Sequence, residues 1–319
     1  MISPDLSARI KAFAAAADPE TVRETCIALA DAAALPDADA ATALADAFSV
    51  DLDFGTGGLR GLMGPGSNRM NRLTVGRATQ GLAEYVKRQS GGAGSVVIAH
   101  DSRHRSAEFA REAARVVAAN GLKAYLFAEL RPTPLLSFAV RHLGCTAGVV
   151  VTASHNPKEY NGYKVSWDDG GQVLPPHDRA IIANVRAVAG GAGVAAGDFD
   201  ARAAAGRIVT VGPEVEEAYL RALDHLRFNA ELADARGGEL KIVYTPLHGT
   251  GITLVPAALA RWGFTSVSIV KAQETPDGDF PTSPSPNPEE AAALALANAQ
   301  ADAEQADLVL ATDPDADRL

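Results

Sequence analysis

Two cysteines in 319 residues, Cys26 and Cys145, are too few and too isolated for a disulfide framework or a zinc site. They are expected to be thiols of a reducing cytosol. Long apolar runs are also missing. None approaches the ~18 residues that a membrane helix requires, and the GVVVTA stretch around Val149 to Val151 is short. The opening MISPDLSARIKAF has no basic segment followed by an apolar core, so no secretory signal is expected. Basic residues are in deficit, 29 Lys and Arg against 39 Asp and Glu, for a net charge of −10. That leaves no basic stripe to neutralise a nucleic-acid strand. A small anion is still an admissible ligand, because a few cations and free backbone N–H groups suffice where they converge. The expected setting is therefore cytoplasmic, with no nucleic acid and no membrane as partner.

The hydrophobic fraction of 47% is that of an ordinary globular chain, and the length is enough for two domains. The stretch to about Phe48 is Ala-rich and punctuated by Asp18-Pro19 and Pro36. Ile10, Phe13, Val22, Ile27 and Leu29 space out as short amphipathic helices, read as a helical collar packed on the adjoining domain. From Ser95, strand and helix patterns alternate: SVVIAH, a helix from Ser106 through Val117 to Gly121, LKAYLFA, TPLLSFAVRHLG and AGVVVTA. The Gly- and Ala-rich run from Gly190 to Gly206 reads as a linker. The same order then recurs: LKIVYTP, ITLVPAALARWG, TSVSIV, a helix from Pro288 (PEEAAALALANAQ) and ADLVLAT. Such alternation implies an α/β fold with largely parallel sheets covered on both faces. The third strand of the first block runs into TASHNP (Thr152 to Pro157), and that of the second into DPDADRL (Asp313 to Leu319). Ligands of open α/β sheets bind beyond the carboxyl ends of strands, so both loops leave on the functional side. No covering helix comes after the second loop, and a piece of a longer enzyme is expected.

Asp313, Asp315 and Asp317 alternate along a tight loop, where three carboxylates repel one another unless a cation sits between them. A hard divalent ion fits; the EF-hand does not, because Arg318 stands where that loop needs glycine. An aspartyl-phosphate enzyme or a solvated acidic turn are the alternatives. Ser154 offers a hydroxyl at a loop tip with His155 beside it. The G-x-S-x-G elbow of a hydrolase is absent, and a turn or cap role competes with that of phosphate carrier. FGTGGLRG (Phe54 to Gly61) lacks the lysine of a P-loop and the spacing of a dinucleotide fingerprint; its glycines and Arg60 suit a close ligand or a plain turn. HDSRHRS and PLHGTG place Arg103 and His248 at the same edge, as phosphate contacts or as surface and capping residues. Lys164, ten positions after Ser154, is within reach of it.

Together, FGTGGLRG, TASHNP, the NGYK after it and DPDADR resemble, in order and spacing, the α-D-phosphohexomutase family of phosphoglucomutases and phosphomannomutases. The finer wording, including TASHNPKEYNGYKVSWDDGGQ and TPLHGTG, is similar to the branch of bacterial phosphoglucomutases and phosphopentomutases. The resemblance implies two three-layer α/β/α domains with mostly parallel mixed sheets after an N-terminal helical segment. Residues 1–48 would be that segment, 49–205 domain I with the phosphoserine loop, and 206–319 domain II with the metal loop. Domains III and IV, which carry sugar recognition and the site for the non-transferring phosphate, would be absent. It further implies Ser154 as the phosphoserine, with Asp313, Asp315, Asp317 and the Ser154 phosphate around Mg²⁺. Arg60, Lys164 and His155 would be catalytic neighbours, and Arg103, His248 and Arg318 phosphate contacts. The activity implied is interconversion of sugar 1-phosphate and 6-phosphate, glucose first, through a sugar 1,6-bisphosphate, with this chain alone inactive as a mutase. A magnesium-dependent phosphatase or phosphotransferase, and a non-catalytic structural fragment, are the rival expectations.

Overall fold

The computed structural model describes residues 3–34, 38–55, 58–188 and 193–319. Pro36, Thr56 and Gly57, and residues 190–192 of the expected linker, lie outside them. Three helices come first: α1 (Pro4–Ala16), α2 (Pro19–Ala34) and α3 (Ala38–Ser49). Ser3 caps α1, and Pro4 takes its first turn, where a missing N–H costs nothing. Ile10, Phe13, Leu44 and Phe48 form a small core, with the Phe13 ring edge-on to Phe48 at 5.3 Å. Several polar contacts seat this collar on the rest. Arg9 pairs with Asp51 at 3.3 Å, and the Asn68 N–H donates to Ala47 O at 2.9 Å.

The first sheet is assembled from β1 (Gly58–Leu62), β2 (Ser95–His100), β3 (Lys123–Phe127), β4 (Ala147–Val151), β5 (Tyr160–Trp167) and β6 (Ile208–Val211). Their spatial order is β1-β5-β4-β2-β3-β6. The four central and distal strands run parallel, while β5 and β1 are antiparallel at one edge. Helices α4 (Arg72–Gln89), α5 (Ser106–Ala119) and α7 (His177–Ala187) supply one face. On the other lie α6 (Thr133–His142) and, after the short α8 (Phe199–Ala204), α9 (Pro213–Leu223). Coverage on both faces explains the unbroken apolar strands. In β2, Val96 and Ile98 pack with Phe109 and Leu82, while Val97 and Ala99 pack with Leu135 and Leu136. Each Val, Leu, Ile or Phe among them contributes roughly 1.5–3 kcal/mol by its burial.

The second unit is smaller. After α10 (Ala230–Arg236) it holds β7 (Ile242–Thr245), α11 (Val255–Arg261), β8 (Val267–Ile269), α12 (Ala295–Glu304) and β9 (Leu308–Ala311), with parallel strands in the order β8-β7-β9. Tyr219 of α9 packs on Phe138 of α6 at 5.4 Å between ring centres, and Arg131 pairs with Glu216 at 2.7 Å. Elsewhere the loop at 274–283 crosses to the first unit. Its buried Phe280 lies under Arg103, 5.0 Å from guanidinium carbon to ring centre, and Asp279 meets Lys158 at 3.1 Å.

Three expectations change. The division at residue 205/206 falls just ahead of β6, which pairs with β3 and so completes the first sheet. The described part of the expected linker is packed instead: the Ala195 N–H donates to Gln80 Oε1 at 3.0 Å, its carbonyl accepts from Arg115 at 3.1 Å, and α8 comes next. The helix expected from Pro288 begins only at Ala295, because Asn287 Oδ1 takes the Glu289 N–H and turns the chain there. No helix among the described residues is long and apolar enough to cross a membrane.

Candidate active site

The buried strand β4 delivers Thr152, whose hydroxyl accepts the Ser154 N–H at 2.8 Å and forces a tight turn. Ser154 sits at φ 55°, the left-handed region, which costs about 1–2 kcal/mol for a residue with a Cβ. Arg103 holds it there. Its guanidinium donates to the carbonyls of Ser154 (2.7 Å), Pro157 (2.8 Å), Tyr160 (3.1 Å) and Asn156. Its Nε lies 3.2 Å from Asp101, and both side chains are wholly buried. Asp101 in turn accepts the Arg103 N–H and the Ser106 hydroxyl. The HDSRHRS segment is thus a clamp on the serine loop.

The second loop leaves β9. Asp313 and Asp315 are fully buried, and Ala316 takes φ 52° so that Asp317 turns back toward them. Pro314 O accepts both the N–H and the hydroxyl of Thr250, at 2.8 and 2.9 Å. Gly249 lies so close beneath that a Cβ there would stand 2.4 Å from the Pro314 Cα. From the first unit, the start of α6 reaches across. The Thr133 N–H donates to Asp315 O at 2.9 Å and its hydroxyl to Asp315 Oδ2 at 3.0 Å.

The two loops meet. Ser154 Oγ donates to Asp313 Oδ2 at 2.7 Å across 159 residues of sequence, with His155 Nδ1 at 3.3 Å. Lys164 of β5 reaches Asp315 Oδ2 at 2.8 Å and Asp317 Oδ2 at 3.0 Å. Arg60 of β1 donates to Asn156 Oδ1 at 3.1 Å, and Arg318 pairs with Glu289 at 3.2 Å. Arg60, Ser154, Lys164, Asp317 and Arg318, with Gln172, line an open cavity of about 460 Å³. Of the sequence candidates, Ser154, His155, Lys164, Arg60, Arg318 and the three aspartates share this region.

Arg103 and His248 do not, and this corrects their expected role as phosphate contacts. The Arg103 donors are directed at loop carbonyls. His248 is buried, with Nδ1 on Thr275 O at 3.1 Å and Nε2 on Thr282 Oγ1 at 2.9 Å. PLHGTG supports the acidic loop from below. Thr133 and Thr152 were missed by the sequence reading. Thr133 carried a usable signal, since Pro132 and Pro134 mark a helix start at the carboxyl edge of the sheet.

Burial, and then the neighbouring Asp315, push the Asp313 carboxyl up to about 8. Burial acts on Asp315 in the same sense, but Lys164 outweighs it and holds that carboxyl below the usual range. Burial works against the Lys164 ammonium, and Asp315 with Asp317 more than restores it. His155 is held low by burial and by Arg318 and Arg60, which keeps its ring neutral near pH 7. One oxygen of each aspartate lies within 4.8 Å of the others, and buried Asp315 Oδ1 has no hydrogen-bond partner. An acidic pocket that retains a proton for want of positive charge, with a carboxylate oxygen left over, fits a hard divalent cation.

The raised carboxyl predicts a pH signature. Asp313 keeps its proton in the folded chain well above its unfolded value, so the stabilisation this gives is full below about pH 4 and is lost as pH rises through about 8. A cation displaces that proton, so MgCl₂ should raise the melting temperature more at pH 8 than at pH 5, relative to EDTA. A magnesium increment independent of pH would contradict the arrangement.

Residues 51–190 match the model of phosphoglucomutase/phosphomannomutase alpha/beta/alpha domain I, and residues 217–319 that of domain II. A phosphoglucomutase of Staphylococcus saprophyticus is 41% identical over 268 residues, covering 84% of this chain and 48% of that protein. A human phosphopentomutase is 38% identical over 285 residues, covering 85% and 45%. A solved structure from Thermus thermophilus, described as a phosphomannomutase, superposes with a TM-score of 0.68 at 29% identity, over 84% of this chain and 56% of that one. The chain spans about half the length of the curated relatives it matches. With both domain models matched in order, and the serine and acidic loops joined as described, the chain belongs to the phosphoglucomutase/phosphomannomutase family.

Proposed function

We propose that this chain carries the phosphoryl-transfer centre of a phosphosugar mutase, with Ser154 as the residue that holds the phosphoryl group. The observation that carries the reading is the Ser154–Asp313 contact at the edge of a cavity lined by Arg60, Lys164 and Arg318. A hydroxyl that opens onto cationic side chains on one side and rests against three carboxylates on the other suits a phosphate dianion bridged to a cation. The aspartyl-phosphate alternative fits less well. Asp313 is wholly buried, its Oδ1 accepts the N–H groups of Asp317 and Arg318, and its Oδ2 faces Ser154.

In the transfer, Ser154 Oγ attacks phosphorus as the bond to the sugar oxygen breaks. The hydroxyl proton has two acceptors at hand, Asp313 Oδ2 and the neutral His155 Nδ1. Lys164 and Arg60 steady the transferring oxygens, so catalysis is positioning plus charge neutralisation. A divalent cation on Asp313, Asp315 and Asp317, Mg²⁺ by the preference of a phosphate-handling oxygen site, would supply the rest of that neutralisation when bound. From a sugar 1,6-bisphosphate the transfer leaves the monophosphate, whose freed oxygen takes up the proton. In the reverse step phosphorylated Ser154 gives its group to the free hydroxyl of a sugar monophosphate. Transfer of the resulting bisphosphate's other phosphoryl group to Ser154 completes the exchange of 1-phosphate and 6-phosphate. Glucose is the sugar proposed, on the phosphoglucomutase relative; the human phosphopentomutase supports a pentose as second choice.

For these 319 residues alone, the activity proposed is the half-reaction, acceptance of a phosphoryl group from a sugar 1,6-bisphosphate. Intact mass after incubation with glucose 1,6-bisphosphate and MgCl₂ should show one added phosphoryl group, mapped to Ser154. Its appearance on an aspartate instead, or no gain at all, would count against the reading.

A further inference from the structure

The transfer cavity holds one neutral polar side chain, an amide, that the phosphoryl chemistry does not use. Among the described residues the Gln172 side chain has no hydrogen-bond partner, it is exposed, and it lines the cavity beside Arg60, Lys164 and Arg318. Its place is fixed. Gly170 takes φ 81° in the turn after β5, where a Cβ would lie 2.4 Å from Ser137 O. Gly171 O accepts the Trp167 N–H at 2.9 Å, Val173 N–H donates to Val165 O at 3.0 Å, and Gln172 stands opposite Ser166 in antiparallel register. Val165 and Val173 are both fully buried. Side chains 164, 166 and 172 therefore share the opposite face. A diagonal pair of this kind is separated by roughly 7–8 Å, within reach of one small ligand held by two long side chains.

Of the other polar groups of the cavity, Asp317 is already paired with Lys164 at 3.0 Å, and the rest suit phosphate. Arg60, Lys164 and Arg318 are cations, Lys164 already donates to two carboxylates, and Ser154 is the proposed carrier. Sugar hydroxyls want a neutral group that donates and accepts at once, and the amide of Gln172 does both. We infer that Gln172 is a specificity-determining residue that hydrogen-bonds a hydroxyl of the sugar while Lys164 and Ser154 engage its phosphate. The inference rests on the reading of Ser154 as phosphoryl acceptor.

Two phosphoryl donors separate the possibilities. Glucose 1,6-bisphosphate has hydroxyls, whereas acetyl phosphate has none and still needs Ser154 and Lys164. In the Gln172→Leu chain, phosphoserine formation from glucose 1,6-bisphosphate should slow roughly ten- to hundredfold, the effect of a lost hydrogen bond in a bound pose. Formation from acetyl phosphate should stay within about twofold, and the melting temperature should match wild type because the side chain is exposed and has no hydrogen-bond partner among the described residues. Equal slowing with both donors, or none with the sugar donor, overturns the inference while leaving Ser154 in place. A wild-type chain that gains no phosphoryl group from either donor overturns the Ser154 reading itself, and this inference with it.

Discussion

Ser154→Ala should abolish phosphoryl uptake from a sugar bisphosphate, by at least ~10⁴-fold in rate, the scale seen when a nucleophile is removed. Among the described residues, neither neighbouring threonine hydroxyl takes its place: Thr152 is buried and accepts the Ser154 N–H, and Thr133 bonds Asp315. The fold should survive. Alanine meets the same left-handed strain as serine, and the loss is one hydrogen bond to Asp313, about 1 kcal/mol. Stabilisation by MgCl₂ should persist, since the three aspartates are untouched. Intact mass after incubation with the donor gives the first result and thermal unfolding the second. A variant that still takes up phosphate at a comparable rate would remove the carrier role from Ser154.

The second large effect falls on a residue outside the cavity lining. Arg103→Ala should cost about 3–5 kcal/mol, because Asp101 stays buried with its cationic partner gone. It should also release the serine loop, whose carbonyls at 154, 156, 157 and 160 lose their common donor. Arg103→Lys should rescue little. An ammonium restores the charge, but its three donors cannot span carbonyls on two sides of a planar fork. Urea unfolding measures the cost, and amide hydrogen exchange over residues 153–160 reports the loop. If the alanine variant unfolded at the wild-type urea concentration with unchanged exchange, the clamp would be wrong.

Much of this site was legible because it obeys topology. Strand ends in a parallel sheet point loops one way, so Ser154 after β4 and the aspartates after β9 could be assigned to one edge before any coordinates. Lys164 was legible for the same reason, on the strand paired with β4 and close in sequence. Arg103 and His248 were misjudged because a sequence shows a group's charge and not the carbonyls around it. An arginine whose Nη atoms face four carbonyls has no donors left for phosphate, and only the folded loop reveals that. The described part of the stretch from Gly190 to Gly206, from residue 193 on, departs from expectation for a related reason. Small residues suit a flexible connector, but Ala195 is bonded to Gln80 and Arg115. Gln172 escaped notice because a neutral amide in a turn belongs to no chemical motif.

The hydrogen bond from Ser154 to Asp313 has a thermodynamic corollary. Esterifying that hydroxyl deletes a donor and sets a dianion against a pocket that already holds three carboxylates and a single lysine. Occupancy of the serine by phosphate and occupancy of the pocket by a cation must then favour each other by one and the same factor, whichever arrives first. On the proposed reading, the loaded carrier would thereby recruit its own metal, and a drop in free cation would favour discharge of the serine to an acceptor.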